Sequence, residues 1–454
     1  MKNMTLPRIA EACNGRLMNS AGYDGREIAG AVLDSRQVAK DYLFIATVGE
    51  RVDGHSFINE VFQKGALAVL CEKAPTDSAG PYILVENSLT ALKELAAWYR
   101  RQLNIKVVGI TGSVGKTSTK EFISSVLAQK YQVLKTEGNY NNEVGLPLTI
   151  LKIREEHEIA VLEMGISNFG EMHRLTGIAK PDIAVITNIG QCHLENLGSR
   201  QGILKAKTEI FDSMDENGRV CINGDDDMLA TIKEMKGSKP IRFGLNKDND
   251  LYADQVISHG LFGSTCNIHS KDMLIPARVP LPGGHMVLNA LAATAVGTLL
   301  GLTGDEIKAG VEAVKPTGGR SNILRKEDLT IIDDCYNANP VSMKAAIDLL
   351  NMADTRRVAI LGDMGELGER ELALHREVGR YAASSGLEVL VCVGKLSRQM
   401  YEGAAEAFTG TLLYYETREA LIEALPSIVK KNDTILVKAS HFMEFDHIVK
   451  ALLK

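Results

Sequence analysis

The sequence has no C-x-x-C pair, no long apolar run, no basic excess and no short internal repeat. Each absence removes a class of protein. The seven cysteines stand singly, at positions 13, 71, 192, 221, 266, 335 and 392, and an odd, scattered count suits free thiols in a reducing compartment rather than a disulfide framework. Nowhere do about eighteen apolar residues follow one another, which excludes a membrane-spanning helix. The opening stretch MKNMTLPRIAEACNG lacks the apolar core of a signal peptide. A net charge of −6 argues against a nucleic-acid binder, which needs a basic face. No segment is low in complexity. What is present is 454 residues, 45% of them hydrophobic, enough for about two to four packed domains. The expected location is cytoplasmic, and a monomer is expected because no coiled coil or long amphipathic seam is evident.

Three segments differ in habit. Residues 1–104 end in SLTALKELAAWYRRQL, where Leu89, Leu92, Ala96, Tyr99 and Leu103 mark one helical face and Ser88 is the expected N-cap. From 105 to 315, the apolar runs KVVGI, YQVLK, IAVLE and IAVIT alternate with helical stretches, the pattern of a mostly parallel sheet with crossover helices. Residues 250–281 are expected to add antiparallel hairpins, and two helices, near 285–300 and 304–314, close the segment. From 316 to 454 the alternation returns in TIIDD, RVAIL, EVLVCVG and TILVKAS. The expected fold is α/β in three domains: a small N-terminal α/β unit, a central phosphate-loop domain and a Rossmann-like C-terminal domain.

One more absence is informative. A phosphate loop usually reads G-x-x-x-x-G-K-[ST], but GITGSVGKTSTK, residues 109–120, has Ile110 where the first glycine belongs. Its context is nevertheless complete: strand KVVGI, turn GSVGKT, then a helix. Gly112 and Gly115 let the backbone approach a phosphate. The amides of Ser113, Thr117 and Ser118 stand at the helix start, where the dipole favours an anion. Lys116 adds a cation near the β- and γ-phosphates, and Thr117 a hydroxyl for Mg²⁺.

Other polar residues follow strand ends, where ligands of α/β sheets bind. Asn139, Asn141 and Asn142 cluster in KTEGNYNNEVGLPLTIL, although asparagines also build turns. Glu163 ends the run IAVLE, and His193 stands in TNIGQCHLENLGS after the next strand. Lys205 and Lys207, in GILKAKTEIF, point in different directions on a helix. Taken alone, the pair reads as a solvated basic helix.

Together TGSVGKTSTK, TEGNYNNEVGLP, LEMG, KAKTEIF, DDCYNANP and LGDMGELG resemble the Mur ligase family of peptidoglycan synthesis, nearly end to end. GNYNNEVGLP, YNANP and LGDMGELG point to its dipeptide-adding branch, and the short phosphate loop is normal for the family. The resemblance implies an ATP- and Mg²⁺-dependent ligase acting on UDP-N-acetylmuramoyl-tripeptide and D-alanyl-D-alanine. The tripeptide carboxylate would become an acyl phosphate, which the dipeptide amine then attacks. It further implies that Lys207 is carbamylated and shares a metal site with Thr117, Glu163 and His193. Asn289 would meet adenine, Arg320 the phosphates, and Asp334 and Asn337 the ribose and nucleotide. Ser35, Arg36, Asp53, Gly54 and His55, in LDSR and ERVDGH, would hold the UDP-sugar, and Asn139 and Asn142 the substrate. The domain roles implied are UDP-sugar-peptide binding for 1–104, ATP binding for 105–315, and nucleotide and dipeptide binding for 316–454.

The chain departs from the family pattern at VKASH, where Ala439 and His441 replace the glycine and arginine of V-K-G-S-R; the lost arginine bears on a dipeptide or substrate contact. Thr47 stands where leucine is common. A ligase adding the third residue would carry a D-[DN]-P-R stretch, and none occurs. A folylpolyglutamate synthase-like ligase normally lacks such an N-terminal domain, and a simple phosphate-loop NTPase has no need of DDCYNANP.

Overall fold

The structure, a computed structural model, describes every residue except 24, 50–51, 77–79 and 317; the first two residues of ERVDGH therefore lie outside the described ones. Three sheets follow one another along the chain. The first has five strands, in the spatial order Arg16–Met18, Tyr82–Leu84, Ala68–Cys71, Tyr42–Ile45 and Gly30–Val32. Only the pairing of Arg16–Met18 is antiparallel.

The central sheet has nine strands. Lys106–Thr111 lies between Ile159–Glu163 and Ile183–Ile186, parallel to both. The parallel set continues through Arg219–Asn223, Ile241–Gly244 and Leu251–Ser258. Ser264–His269 and Leu274–Val279 then add antiparallel hairpins at the edge, as expected for 250–281. Helices His285–Leu299 and Gly304–Glu312 close this segment. The third sheet has six strands, with Thr434–Lys438 inserted between Leu329–Asp333 and Arg357–Gly362.

Four strands were not expected. Asn322–Lys326 and Thr411–Tyr415 are sheet edges with mostly half-exposed side chains, and the first has only Ile323 and Leu324 as apolar residues. Arg219–Asn223 and Ile241–Gly244 are short: the first has only Val220, Cys221 and Ile222 between polar ends, and in the second Arg242 separates Ile241 from Phe243.

The helix Ser88–Gln102 joins the first two sheets. Its N-cap is Asn87, not Ser88: the Asn87 side chain accepts from the Thr90 amide at 2.9 Å. Ser88 is already helical and fully buried, its hydroxyl unpartnered. The side chains of Leu92, Leu95 and Tyr99 enter one continuous core with Leu146, Ile150 and Ile153, and the Tyr99 hydroxyl donates to the Ile153 carbonyl at 2.7 Å. On the opposite face of the central sheet, Phe122 and Val126 pack with Leu291 and Val296.

The cap assignment has a measurable consequence. Asn87→Ala should destabilise the start of this helix by about 1 kcal/mol, read as faster amide exchange at Thr90. Ser88→Ala, which removes an unpaired buried hydroxyl, should change it by less than about 0.5 kcal/mol. The opposite ranking would restore Ser88 as the cap.

Candidate active site

The three parallel strands Ile159–Glu163, Lys106–Thr111 and Ile183–Ile186 end side by side, and their carboxyl ends build the site. After Lys106–Thr111 the chain turns through 112–115 into the helix Lys116–Leu127. Gly112 (φ +149°) presses against the neighbouring strand end, where a Cβ would overlap the Thr187 hydroxyl. The loop is braced from that strand: the Ser113 amide donates to the Asn188 carbonyl and the Val114 amide to Asn188 Oδ1, each at 3.0 Å. Gly115, with φ +82°, is the helix N-cap, and no side chain caps the first turn. Those amides are free for an anion. Lys116 folds back so that its Nζ donates to the Gly112 carbonyl at 2.9 Å.

Glu163 is 1% exposed. A carboxylate taken from water needs partners, and both oxygens have one. Oε2 accepts from the Thr117 hydroxyl at 2.7 Å and Oε1 from Asn141 Nδ2 at 2.9 Å. Asn142 turns the polar loop by accepting from the amides of Val144 and Gly145.

The two lysines of the helix Arg200–Thr208 part company. Lys205 is exposed, its Nζ 6.0 Å from the Phe169 ring centre. Lys207 is fully buried and its Nζ has no hydrogen-bond partner. Burial pushes its pKa down to about 8; Cys192 opposes this in part, and the nearby Lys116 charge adds a smaller downward push. A solvated basic helix therefore describes Lys205 alone. The helix packs inward with Ile203 and Ala206 in the core, and Lys207, next along the chain, is buried with them.

The strand ends face the third sheet across a cleft of roughly 1030 Å³. Of the expected residues, Ser113, Gly115, Lys116, Ser118, Asn139, Asn142, Glu163, His193 and Asn289 line it from the central segment; Arg320, Asp334 and Asn337 line it from the third. Thr117 is buried behind Glu163. Asn289 Oδ1 accepts from the Thr119 hydroxyl at 2.9 Å.

On the far wall, Lys438 is 3% exposed, its Nζ 2.5 Å from Asp334 Oδ2 and donating to the Asn337 carbonyl at 3.0 Å. Asp334 Oδ1 accepts from the Ser321 amide at 2.8 Å. Arg320 stacks over Tyr336 at 4.0 Å, and His441 meets that ring edge-on at 5.5 Å. The departing residue of VKASH thus packs on the tyrosine of YNANP, while Ala439 is buried in the core.

His193 (φ +54°) places Nδ1 2.8 Å from Glu366 Oε2 of the third segment. The angle is too poor for a hydrogen bond, leaving Nδ1 unpartnered in that sense. This His193 contact, helped by Lys116, holds the Glu366 carboxyl below its usual range.

The expected UDP-sugar residues are elsewhere: among the described residues, none before Ser113 lines the cleft. Asp34 and Asp53 cap two short helical turns, Ser35–Gln37 and Gly54–Phe57. Arg36 is bound to Asp34 through Nε at 2.9 Å and Nη2 at 2.7 Å. The Glu72 amide donates to His55 Nε2 at 2.9 Å, which puts the ring proton on Nδ1, 2.6 Å from Asp53 Oδ1. Gly54 lies so close to the Thr47 backbone that a Cβ would come within 3.0 Å of it.

Family models match most of the chain: the Mur ligase family catalytic domain over residues 27–108, the Mur ligase middle domain over 110–297, and the Mur ligase glutamate ligase domain over 319–441. The chain belongs to the Mur ligase family. This Mur ligase is 39% identical to the UDP-N-acetylmuramoyl-tripeptide–D-alanyl-D-alanine ligase of Bacillus subtilis, with 100% of this chain and 99% of the relative covered. A crystal structure of MurF from Acinetobacter baumannii superposes with a TM-score of 0.89, at 32% identity, over 99% of this chain and 98% of that one. MurF from Thermotoga maritima, solved with ADP, does so with a TM-score of 0.81, at 32% identity, over 93% and 97%.

The donor set of this Mur ligase fits Mg²⁺. Thr117 and Glu163 offer adjacent oxygens, and among the described residues no three His, Cys, Asp or Glu side chains cluster for a metal. Mg²⁺ is commonly held by one or two carboxylates with substrate phosphates rather than by an all-protein cage. Asn188, Glu366 and Lys438 were missed as site residues, and the tie of Asn141 to Glu163 was not foreseen. Asn188 and Lys438 stand at strand ends, the same signal that singled out Glu163.

Lys207 also yields a stability prediction. An unmodified lysine with a folded pKa of about 8 against an ordinary 10.5 leaves the unfolded chain holding the extra proton between those values, so stability rises with pH across that window. Below pH 8 the cost of burial is fully present. Lys207→Met should therefore be more stable than the unmodified parent at pH 7, by on the order of 3 kcal/mol. The gain should shrink as pH rises from 8 to 10.5, followed by thermal melts in buffer free of CO₂ and Mg²⁺. A gain independent of pH would show that the amine is not the titrating group.

Proposed function

We infer that this protein joins D-alanyl-D-alanine to UDP-N-acetylmuramoyl-tripeptide with ATP, giving UDP-N-acetylmuramoyl-pentapeptide, ADP and phosphate. The observation that carries this is the whole-chain likeness to ligases of that activity, together with a phosphate loop that faces a second α/β sheet across one cleft. The first segment, residues 1–104, would hold the UDP-sugar peptide through Ser35, Arg36, Asp53, Gly54 and His55. The segment 105–315 would hold ATP, and 316–454 the nucleotide and the incoming dipeptide.

A carboxylate is a poor acylating agent, so the tripeptide carboxyl is first phosphorylated. Its oxygen attacks the γ-phosphorus and ADP leaves; the dipeptide amine then attacks the acyl carbon, loses a proton and expels phosphate. Such transfers depend on positioning and charge neutralisation. The uncapped first turn after Gly115 would bind the phosphates, and the Lys116 ammonium would turn from the Gly112 carbonyl to meet them. Thr117 and Glu163 would hold Mg²⁺, which neutralises phosphate charge when bound.

Lys207 fits the remaining place. Its neutral amine can add to the carbon of CO₂ and release a proton, leaving a carbamate anion. That exchanges an unpaired buried amine for an oxygen-bearing group, which suits a hard cation. Asn289 and Arg320, with Asp334 and Asn337, would receive the rest of the nucleotide. Asn139 and Asn142, in the polar loop beside Glu163, would meet the substrate.

The enzyme should release ADP only when both substrates are supplied, measured with D-alanyl-D-alanine, D-alanine, L-lysine, meso-diaminopimelate and L-glutamate at equal concentration. The dipeptide should be preferred at least about a hundredfold in kcat/KM, because a single residue cannot fill both a methyl pocket and a distant carboxylate site. Better use of lysine or diaminopimelate would make it the third-residue ligase.

A second measurement separates the lysines. Lys207→Ala should lose nearly all activity and regain part of it with added short carboxylic acids, whereas Lys205→Ala should match the parent. The reverse pattern would assign the carbamate to the other lysine.

A further inference from the structure

Two non-glycine residues in left-handed conformations face each other across the cleft: His193 (φ +54°) from the central segment and Glu366 (φ +60°) from the third. Such backbone costs of order 1–3 kcal/mol and persists where its surroundings over-determine it. They do so here. Met364 is fully buried, with its amide donating to His375 Nε2 at 2.9 Å. The Gly365 amide donates to the Ser440 hydroxyl at 2.9 Å, and Leu367 is 3% exposed. The segment 364–367 is thus pinned on both sides of Glu366, whose carboxylate projects from the third domain to within 2.8 Å of His193 Nδ1. Next to it, Gly368 packs on Glu195, where a Cβ would come 3.4 Å from the backbone.

We propose that Glu366 is a positioning residue for His193: it reaches the imidazole only when the third domain stands over the phosphate loop, so that ring orientation is coupled to closure of the cleft. A carboxylate at Nδ1 selects the tautomer with the proton on that nitrogen and leaves Nε2 as the acceptor, the arrangement by which outer-shell carboxylates orient site histidines. The poor angle of the contact is corrected by a small ring rotation, and catalytic hydrogen bonds commonly tighten in this way when substrate binds. No other residue of the LGDMGELG stretch approaches His193 with a charge.

This role for Glu366 stands on the ligase function proposed above, and the test keeps the two apart. If the ligase function is wrong, the parent protein itself releases no ADP with the tripeptide nucleotide and the dipeptide. If the Glu366 role is wrong, the parent works and the variants work with it. Glu366→Gln keeps the shape and removes the charge. Glu366→Gly removes the carboxylate but suits a positive φ, so its melting temperature should be unchanged or higher. Both should lower kcat about tenfold, with KM for the dipeptide within about twofold of the parent. In ¹⁵N spectra of the parent with a non-hydrolysable ATP analogue, the His193 ring, assigned from His193→Asn, should show the Nδ1–H tautomer, and both variants should lose it. A kcat within twofold of the parent in either variant would overturn the proposal. So would an unchanged His193 tautomer, or a fall in Glu366→Gly melting temperature that accompanies its loss of rate.

Discussion

The site is organised around a buried carboxylate that is not allowed to stand alone. Glu163 ends a central strand at 1% exposure, where an unpaired charge would cost several kcal/mol or force protonation. Its two oxygens are satisfied by Thr117, from the phosphate-loop helix, and by Asn141, from the polar loop after a neighbouring strand. One charge therefore holds three chain segments in register. The same pair of oxygens, Thr117 Oγ1 and the Glu163 carboxylate, is what a hard cation would use. Structural satisfaction and metal readiness come from one arrangement.

Lys207 is the counterpart. Glu163 is buried with partners, and Lys207 is buried without one. An unmodified ammonium there is unfavourable, which is why its pKa is depressed. Conversion to a carbamate would reverse the sign of the charge and supply the oxygens that the place lacks. The helix carrying it commits Ile203 and Ala206 to the core, and the lysine follows them inward.

The third domain completes the cleft with the buried Lys438 paired to the half-buried Asp334, whose contacts tie the segment of Ser321 to that of Asn337. Its strand order places Thr434–Lys438 between Leu329–Asp333 and Arg357–Gly362, bringing VKASH, DDCYNANP and LGDMGELG to one edge although they are far apart in the chain. His441, although exposed, meets the Tyr336 ring edge-on.

Local pattern in the sequence determined the parallel sheets, the antiparallel addition near 250–281, the strand–turn–helix around Lys116 and the strand-end position of Glu163. Each of these depends on neighbours along the chain: apolar runs make buried strands, and glycines permit the turn. The edge strand Asn322–Lys326 escaped because only Ile323 and Leu324 in it are apolar, and the cap at Asn87 escaped because Ser and Asn are both good caps one residue apart. The tertiary structure alone decided which of two adjacent-looking lysines is buried, that Asn141 holds Glu163, and that Glu366 meets His193. Those facts depend on desolvation and on distances between segments separated by dozens of residues, which no periodicity encodes. It also decided that the residues of LDSR and ERVDGH described here lie outside the cleft of the phosphate loop, because the first sheet packs on the central one through the helix Ser88–Gln102 rather than over its strand ends.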